Sequence, residues 1–400
     1  MPRNEFINAK GSLRLLLILS LLMGFASLST DVYLPAMPAM QQALGVSPGM
    51  IEFTVSGYLI GFSIGQLFWG PISDRYGRRK PVIIGLVLFI IGSAGCAMSG
   101  DIITMIAWRV VQALGACASV ALSRAMVRDI YSGSEAARMM SVLISVMAIA
   151  PLVGPFIGGQ VLLFSGWRMI FWGLVVLGAL TLASMFTIQE TLPAERRDTD
   201  TSIFSSILNY FKLIKHRSIL AYAGASGFFY CSIFAYVAGS PFAYIDYHHL
   251  KPQYYGILFG INTLGIMLSN LLNNKVVTRF GLKKIIVFGG VCSTVAGIVL
   301  VLNALSDFGG LAGLAIPLFV LVSMNGFIVA NSIAGALEDF PHNAGAVSAL
   351  IGMIQYGSGI AGTGITGLLA DGTPLPMAGV MGVSGVFILV FALLIPKRAD

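Results

Sequence analysis

The sequence predicts an all-α membrane protein: twelve transmembrane helices in two six-helix halves, with both termini in the cytoplasm. Three observations carry this. Of 400 residues, 56% are hydrophobic and only 10% charged, against roughly a quarter charged in soluble domains. Apolar runs of about 20 residues, enough to cross a ~30 Å hydrocarbon layer as helices, recur along the whole length. Lys and Arg gather in every second connection between those runs.

Breaks at Pro, Gly and charged residues place the spans at 13–35, 50–72, 81–100, 102–122, 139–163 and 168–188, then at 218–245, 254–274, 285–305, 311–336, 346–370 and 377–396. The first run ends in S-T-D-V-Y-L-P, a poor small-residue cleavage site, so it reads as a permanent span and not a removed leader. Between the sixth and seventh spans, E-T-L-P-A-E-R-R-D-T-D-T-S is followed by the amphipathic I-F-S-S-I-L-N-Y-F-K-L-I-K. The chain therefore divides into a first bundle (1–188), a cytoplasmic linker (189–217) and a second bundle (218–400).

Even spacing puts alternate connections on opposite sides of the bilayer. Of the 24 Lys and Arg, only Arg168 and Lys251 fall on one side, and Arg109 lies inside the fourth span. All the rest share the other side with the termini and the linker, which the positive-inside rule makes cytoplasmic. The net charge of +7 follows from this pattern and not from a nucleic-acid patch. Cys96, Cys117, Cys231 and Cys292 all fall inside apolar runs, with neither metal-ligand nor disulfide spacing, and read as packing residues. There is no phosphate-binding Gly-Lys-Ser/Thr loop, no long soluble domain and no Ser/His/Asp set. An enzyme is not expected, nor a metal or organic cofactor; work would be driven by an ion gradient, or by none.

The halves read as repeats. G-P-I-S-D-R-Y-G-R-R-K (70–80) matches N-K-V-V-T-R-F-G-L-K-K (274–284), and R-D-I-Y (128–131) matches E-D-F-P (338–341). Parallel repeats around a midplane site are one of the main secondary-transporter architectures.

The loop G-P-I-S-D-R-Y-G-R-R-K-P resembles the G-x-L-x-D-R-x-G-R-R/K signature of the major facilitator superfamily. Gly70 and Gly77 would allow close backbone approach, while Arg75, Arg78, Arg79 and Lys80 would anchor at the phospholipid face. The resemblance implies a cytoplasmic gate in which Asp74 and Arg78 join an acid after helix four, Asp129, and Asp74 faces the start of helix eleven near Ala346 to Ser348. In span five, A-P-L-V-G-P-F-I-G-G resembles the superfamily's antiporter motif G-x-x-x-G-P-x-x-G-G, with Ala150 in place of the first Gly. Pro151 and Pro155 would kink the span, and Gly154, Gly158 and Gly159 would admit close helix contact. I-A-W-R-V-V-Q-A-L-G resembles the fourth-helix motif R-x-x-Q-G-x-G through Arg109 and Gln112, with the glycine displaced to Gly115.

An arginine inside a span costs at least about 2.5–3.5 kcal/mol and needs a partner or an aqueous cavity. Arg109 lies about seven residues, ~10 Å, below the outer boundary. Asp31 stands at comparable depth in span one and is its best partner; Glu52 and Asp246 read as interfacial, and no acid lies deeper in span one, where Met23 and Gly24 stand. The surrounding S-T-D-V-Y-L-P-A is similar to D-M-Y-L-P-A of the bicyclomycin-resistance (Bcr/CflA) drug:proton antiporters, as are G-W-R-M-I-F-W, A-S-G-F-F-Y and D-F-P-H-N-A-G-A-V-S-A-L.

The resemblance implies proton-coupled export of small amphipathic drugs or metabolites across a bacterial inner membrane, by a monomer whose partners are substrate, protons and lipid. Asp31 and Arg109 would couple the proton. Tyr33, Tyr58, Gln66, Gln112, Phe228, Tyr230, Phe234, Tyr236, Asn325 and Gln355 are the candidates for a cavity of aromatic and amide groups that accepts flat lipophilic molecules. The alternative on the same fold is a facilitator or proton symporter that imports a sugar or other small nutrient.

Overall fold

The computed structural model describes residues 13–197, 214–340 and 344–396, and among these it contains helices and turns but no strand. Lipid offers backbone groups no hydrogen-bond partner, and the helix satisfies them within one segment. The helices are α1 (Leu13–Asp31), α2 (Met37–Leu44), α3 (Pro48–Tyr76), α4 (Arg79–Met98), α5 (Ile102–Ile130), α6 (Gly133–Ser165) and α7 (Trp167–Met185). They continue as α8 (Arg217–Pro241), α9 (Pro252–Phe280), α10 (Leu282–Ser306), α11 (Gly310–Ser323), α12 (Asn325–Asp339), α13 (Ala344–Leu369) and α14 (Leu375–Leu394). Eleven helical stretches among the described residues are long and apolar enough to cross a membrane. The 26-residue α13 supplies a twelfth helical span. The amphipathic segment expected at 203–215 lies almost entirely outside the described residues.

Three spans differ from expectation. The first helix ends at Asp31 rather than near 35, and the chain continues through a 3-10 turn (Leu34–Ala36) into α2. Proline explains this: Pro35 has no N–H for the Asp31 carbonyl, and Pro38 has none for Leu34. The tenth span is broken at Met324, between α11 and α12. There Gly326 lies against the backbone of Ser269 and Asn270, and its N–H donates to Ser269 Oγ at 3.2 Å. The seventh span changes hand-hold after Pro241, where Phe242–Tyr247 winds as a π-helix.

Packing divides the chain into two compact units: Met1–Ala36 with Gly57–Ile203, and Met37–Ser56 with Phe204–Asp400. In the first unit α4 packs along α5 and α7, and α1 along α5 and α6. In the second unit α10 packs along α14 and the broken α11–α12 span, and α8 along α12 and α13. Counted by span, these pairings recur in both units; the second adds an extensive packing of α8 along α14, whose counterpart in the first, α1 on α7, is slight.

The matched loops repeat as well. Gly77 and Gly281 each turn the chain between two helices with positive φ, +88° and +78°. Two residues later a basic side chain reaches the end of its unit's last span. Arg79 donates from Nε to the Met185 carbonyl and from Nη2 to that of Phe186, each at 3.3 Å. Lys283 donates to the Ile395 carbonyl at the end of α14. A cation on the unpaired carbonyls of a helix C-terminus is stabilising there.

Candidate functional site

The first unit holds a guanidinium buried among aromatic rings. Arg109, two turns into α5, is fully buried. Its Nη1 donates to the Ser29 carbonyl at 2.9 Å and to Gln112 Oε1 at 2.5 Å. Gln112 Nε2 in turn donates to Ser93 Oγ at 2.8 Å, and Ser93 to the Phe89 carbonyl at 2.7 Å. The guanidinium carbon lies 4.2 Å from the Tyr33 ring centre and 4.5 Å from that of Tyr58. Tyr58 is fixed by a 2.5 Å hydrogen bond between its hydroxyl and that of Ser29. Ring faces attract a cation more strongly once water is excluded, so the stack stabilises a charge that hydrocarbon alone would not hold.

The other edge of the guanidinium is unused: Arg109 Nε and Nη2 have no hydrogen-bond partner. Asp31, two residues beyond Ser29, is 7% exposed and forms the last residue of α1. The expected pairing is not closed: no ion pair joins Asp31 to Arg109 within 4.0 Å. The cation lies over the two tyrosine rings instead.

The glycines of the antiporter-like motif form the wall behind Asp31. α6 runs unbroken over Pro151 and Pro155. A Cβ placed on Gly154 would sit 3.4 Å from Asp31 Cβ, and one on Gly158 would strike the Val32 carbonyl oxygen. Gly159 is buried beside them. Where α1 loses its helical bonding, α6 therefore approaches at backbone distance.

At the other end of the first unit, the structure brings Asp74, Arg78 and Asp129 together. Arg78 Nη1 lies 2.5 Å from Asp74 Oδ1 and Nε lies 2.8 Å from Asp129 Oδ2; Nη1 also donates to Ser73 Oγ at 2.6 Å. Arg75 is exposed near the Tyr76 ring. Gly70 differs from expectation, since a Cβ there would meet nothing within 4 Å. Gly77 does need its hydrogen: φ is positive, and a side chain would collide with the Glu190 carboxylate.

Glu190 is the residue that the sequence reading missed. Its Oε1 accepts from the backbone N–H of Arg78 at 2.7 Å, Thr191 at 3.0 Å and Leu192 at 3.1 Å, and Oε2 from that of Arg79 at 3.1 Å. A carboxylate at the start of α4 satisfies donors that the helix leaves unpaired and meets the positive end of its dipole. The sequence signal was present in E-T-L-P, where an acid stands directly after the last span of the half.

The cavity candidates of the second unit separate into two groups. Tyr230 and Phe234 on α8 form an aromatic cluster with Tyr356 on α13, with ring centres 5.9–6.3 Å apart. Gln355, beside Tyr356, is 5% exposed with Nε2 unpartnered. Phe228 instead stacks between helices on Phe387 and Phe391. Tyr236 is buried, stacks on Phe259 and accepts a 2.8 Å hydrogen bond from Asn262. Asn325 begins α12 and is half-buried, and Gln66 is exposed on α3.

The model of the Major Facilitator Superfamily matches residues 19–363. The chain belongs to that superfamily. As a superfamily member it is a transporter of small molecules and not an enzyme, with multiple spans in the bacterial inner membrane. It is 36% identical to an uncharacterised MFS-type transporter of Bacillus subtilis, covering 94% of each chain. A bicyclomycin resistance protein homologue of Haemophilus influenzae is 30% identical over 93% of this chain and 94% of its own. A chloramphenicol resistance protein of Pseudomonas aeruginosa is 30% identical over 88% and 83%. The resemblance to the bicyclomycin-resistance branch is borne out. Among solved structures, a D-xylose–proton symporter aligns with TM-score 0.76 at 17% identity, covering 95% of this chain and 96% of its own. A peptide transporter aligns equally well at 14% identity over 96% and 93%. At such identities the superfamily fold is what is shared.

Proposed function

We propose that this chain, acting as a monomer, exports small amphipathic drugs or metabolites in exchange for protons, with Asp31 taking up and releasing the proton. The carrying observation is the half-occupied guanidinium: Arg109 is buried with its Nε and Nη2 edge unpartnered, while a buried carboxylate stands two residues from the carbonyl that Arg109 holds. A carboxylate that ionises beside this edge gains a charged partner, and one that is neutral leaves the edge to a substrate acceptor. The two events are mutually exclusive, which is what exchange requires. Drug-resistance names among the relatives favour outward transport over nutrient import. The antiporter-like glycines of α6 support the same direction through their contact with the Asp31 turn.

In alternating access, proton entry from the outside neutralises Asp31 and frees the cation, and release of the proton inside resets the pair. No cofactor is needed beyond the proton gradient. The Asp31→Asn variant tests the scheme in inverted vesicles: it should still bind drug yet lose export against a gradient. Full gradient-driven export by that variant would overturn it. The import reading is separated by the same vesicles, because only antiport releases protons when drug is added.

A further inference from the structure

The sequence placed Glu52 at the membrane interface, but it is 3% exposed, and its Oε2 accepts no hydrogen bond. It lies where the first turns of α3 pack on α13 within the second unit. On one side of it, Gly49 approaches so closely that a Cβ would strike the Gly367 carbonyl oxygen. On the other, the Ser56 and Thr363 hydroxyls share a 2.6 Å hydrogen bond. Residues 49, 52 and 56 follow one face of the helix, so Glu52 sits inside the seam.

The seat is a cavity of about 10 Å³ lined by Pro48, Gly239, Phe242, Thr366, Pro376 and Met377, room for about one water. Among the described residues, no basic side chain lines it. α2, α13 and α14 carry no charged residue, and Arg217 of α8 lies at that helix's opposite end. In the turn after α13, Asp371 is exposed and accepts from the Thr373 N–H and hydroxyl at 2.9 and 2.7 Å. Asp246, His248, His249 and Lys251, on the connection after α8, do not line the seat. A carboxylate anion buried without a partner is costly, whereas a neutral acid is tolerated.

We propose that Glu52 is a second proton-binding group, which holds the first turns of α3 on α13 while protonated and releases them when it ionises. This deepens the proton-exchange reading and rests on it: the positive-inside distribution puts this end of α3 on the outer side, so the outer proton concentration would set how readily the seam opens.

The test uses the full chain carrying Thr366→Cys in right-side-out vesicles, labelled with a membrane-impermeant maleimide across external pH, with the unaltered chain as background. The rate is divided at each pH by that of the same chain with Glu52→Gln, which cancels both the thiol's own titration and any effect of Asp31. The ratio should be near one in acid and rise about tenfold in alkaline medium; a ratio independent of pH overturns the proposal. If Glu52→Gln does not fold, Glu52→Asp replaces it. The labelling profile must then shift along the pH axis, and coincident profiles overturn the proposal. Labelling needs no drug, and drug-induced proton release is measured in inverted vesicles of the unaltered chain. Absent proton release with intact labelling behaviour removes the exchange reading, whereas the reverse removes only Glu52.

Discussion

Gly158 of α6 lies directly against the carbonyl oxygen of Val32, the residue at which α1 stops being helical. Gly154, one turn earlier, meets Asp31 and Val32 only at ordinary contact distance. The two glycines of one motif therefore carry different loads. Gly158→Ala should force α6 away from the Asp31 turn and cost about 2 kcal/mol by overpacking, with export lost. Gly154→Ala should remain close to the parent in both thermal unfolding and transport. Equal effects at the two positions would contradict this geometry.

Arg109 lies over two tyrosine rings and donates along one edge to a carbonyl and an amide, which makes the guanidinium's forked shape essential. Arg109→Lys should abolish uphill export although the charge is kept, because an ammonium cannot donate as a planar fork to the Ser29 carbonyl and Gln112. Tyr58→Phe keeps the ring and loses the bond to Ser29, so a loss of about 1 kcal/mol in stability with transport retained is expected. Tyr58→Leu, which removes the ring, should behave like the Arg109 variant in a drug-efflux assay.

Glu190 joins the end of the first unit's last span to the start of α4 through four backbone donors. Glu190→Ala should lower thermal stability in detergent by about 1–2 kcal/mol, in the range of a lost helix cap. Glu190→Gln should lose less than half of that, since an amide oxygen still accepts. If the two variants unfold together, the carboxylate is not acting as the cap.

Asn273 of α9 and Asn331 of α12 bond reciprocally, at 3.1 and 2.7 Å, across the broken tenth span. Asn331→Ala leaves the partner amide buried and unpaired, with an expected loss of about 1–2 kcal/mol. Adding Asn273→Ala should cost almost nothing further. A double-mutant cycle showing strict additivity would mean that the pair is not coupled.

Much of this was legible because lipid enforces a simple grammar: long apolar runs, punctuated by Pro, Gly and charge, become helices. The Gly77 turn was visible as a local pattern, and the Arg78 cluster through the resemblance of its loop to the superfamily signature. What escaped notice depends on contacts across the sequence. The break at Met324 carries an Asn-Gly turn signal, but the close approach of α9 to Gly326 that accompanies it is not announced by any local pattern. The end of α1 was available from Pro35, by asking which carbonyl it deprives of a donor. Glu52 was misjudged because sequence depth does not tell which helix will cover a residue, and Glu190 because it sits in a stretch whose polarity reads as linker.

The tyrosine pair around Arg109 has a consequence for the working cycle. A carboxylate partner would neutralise the guanidinium, and its departure would strand a bare cation in hydrocarbon. Aromatic faces solvate the charge without cancelling it, so the cation has a permanent host that does not depend on the ionisation of Asp31. Its field remains switched on throughout, and the carboxyl is free to come and go as a visitor.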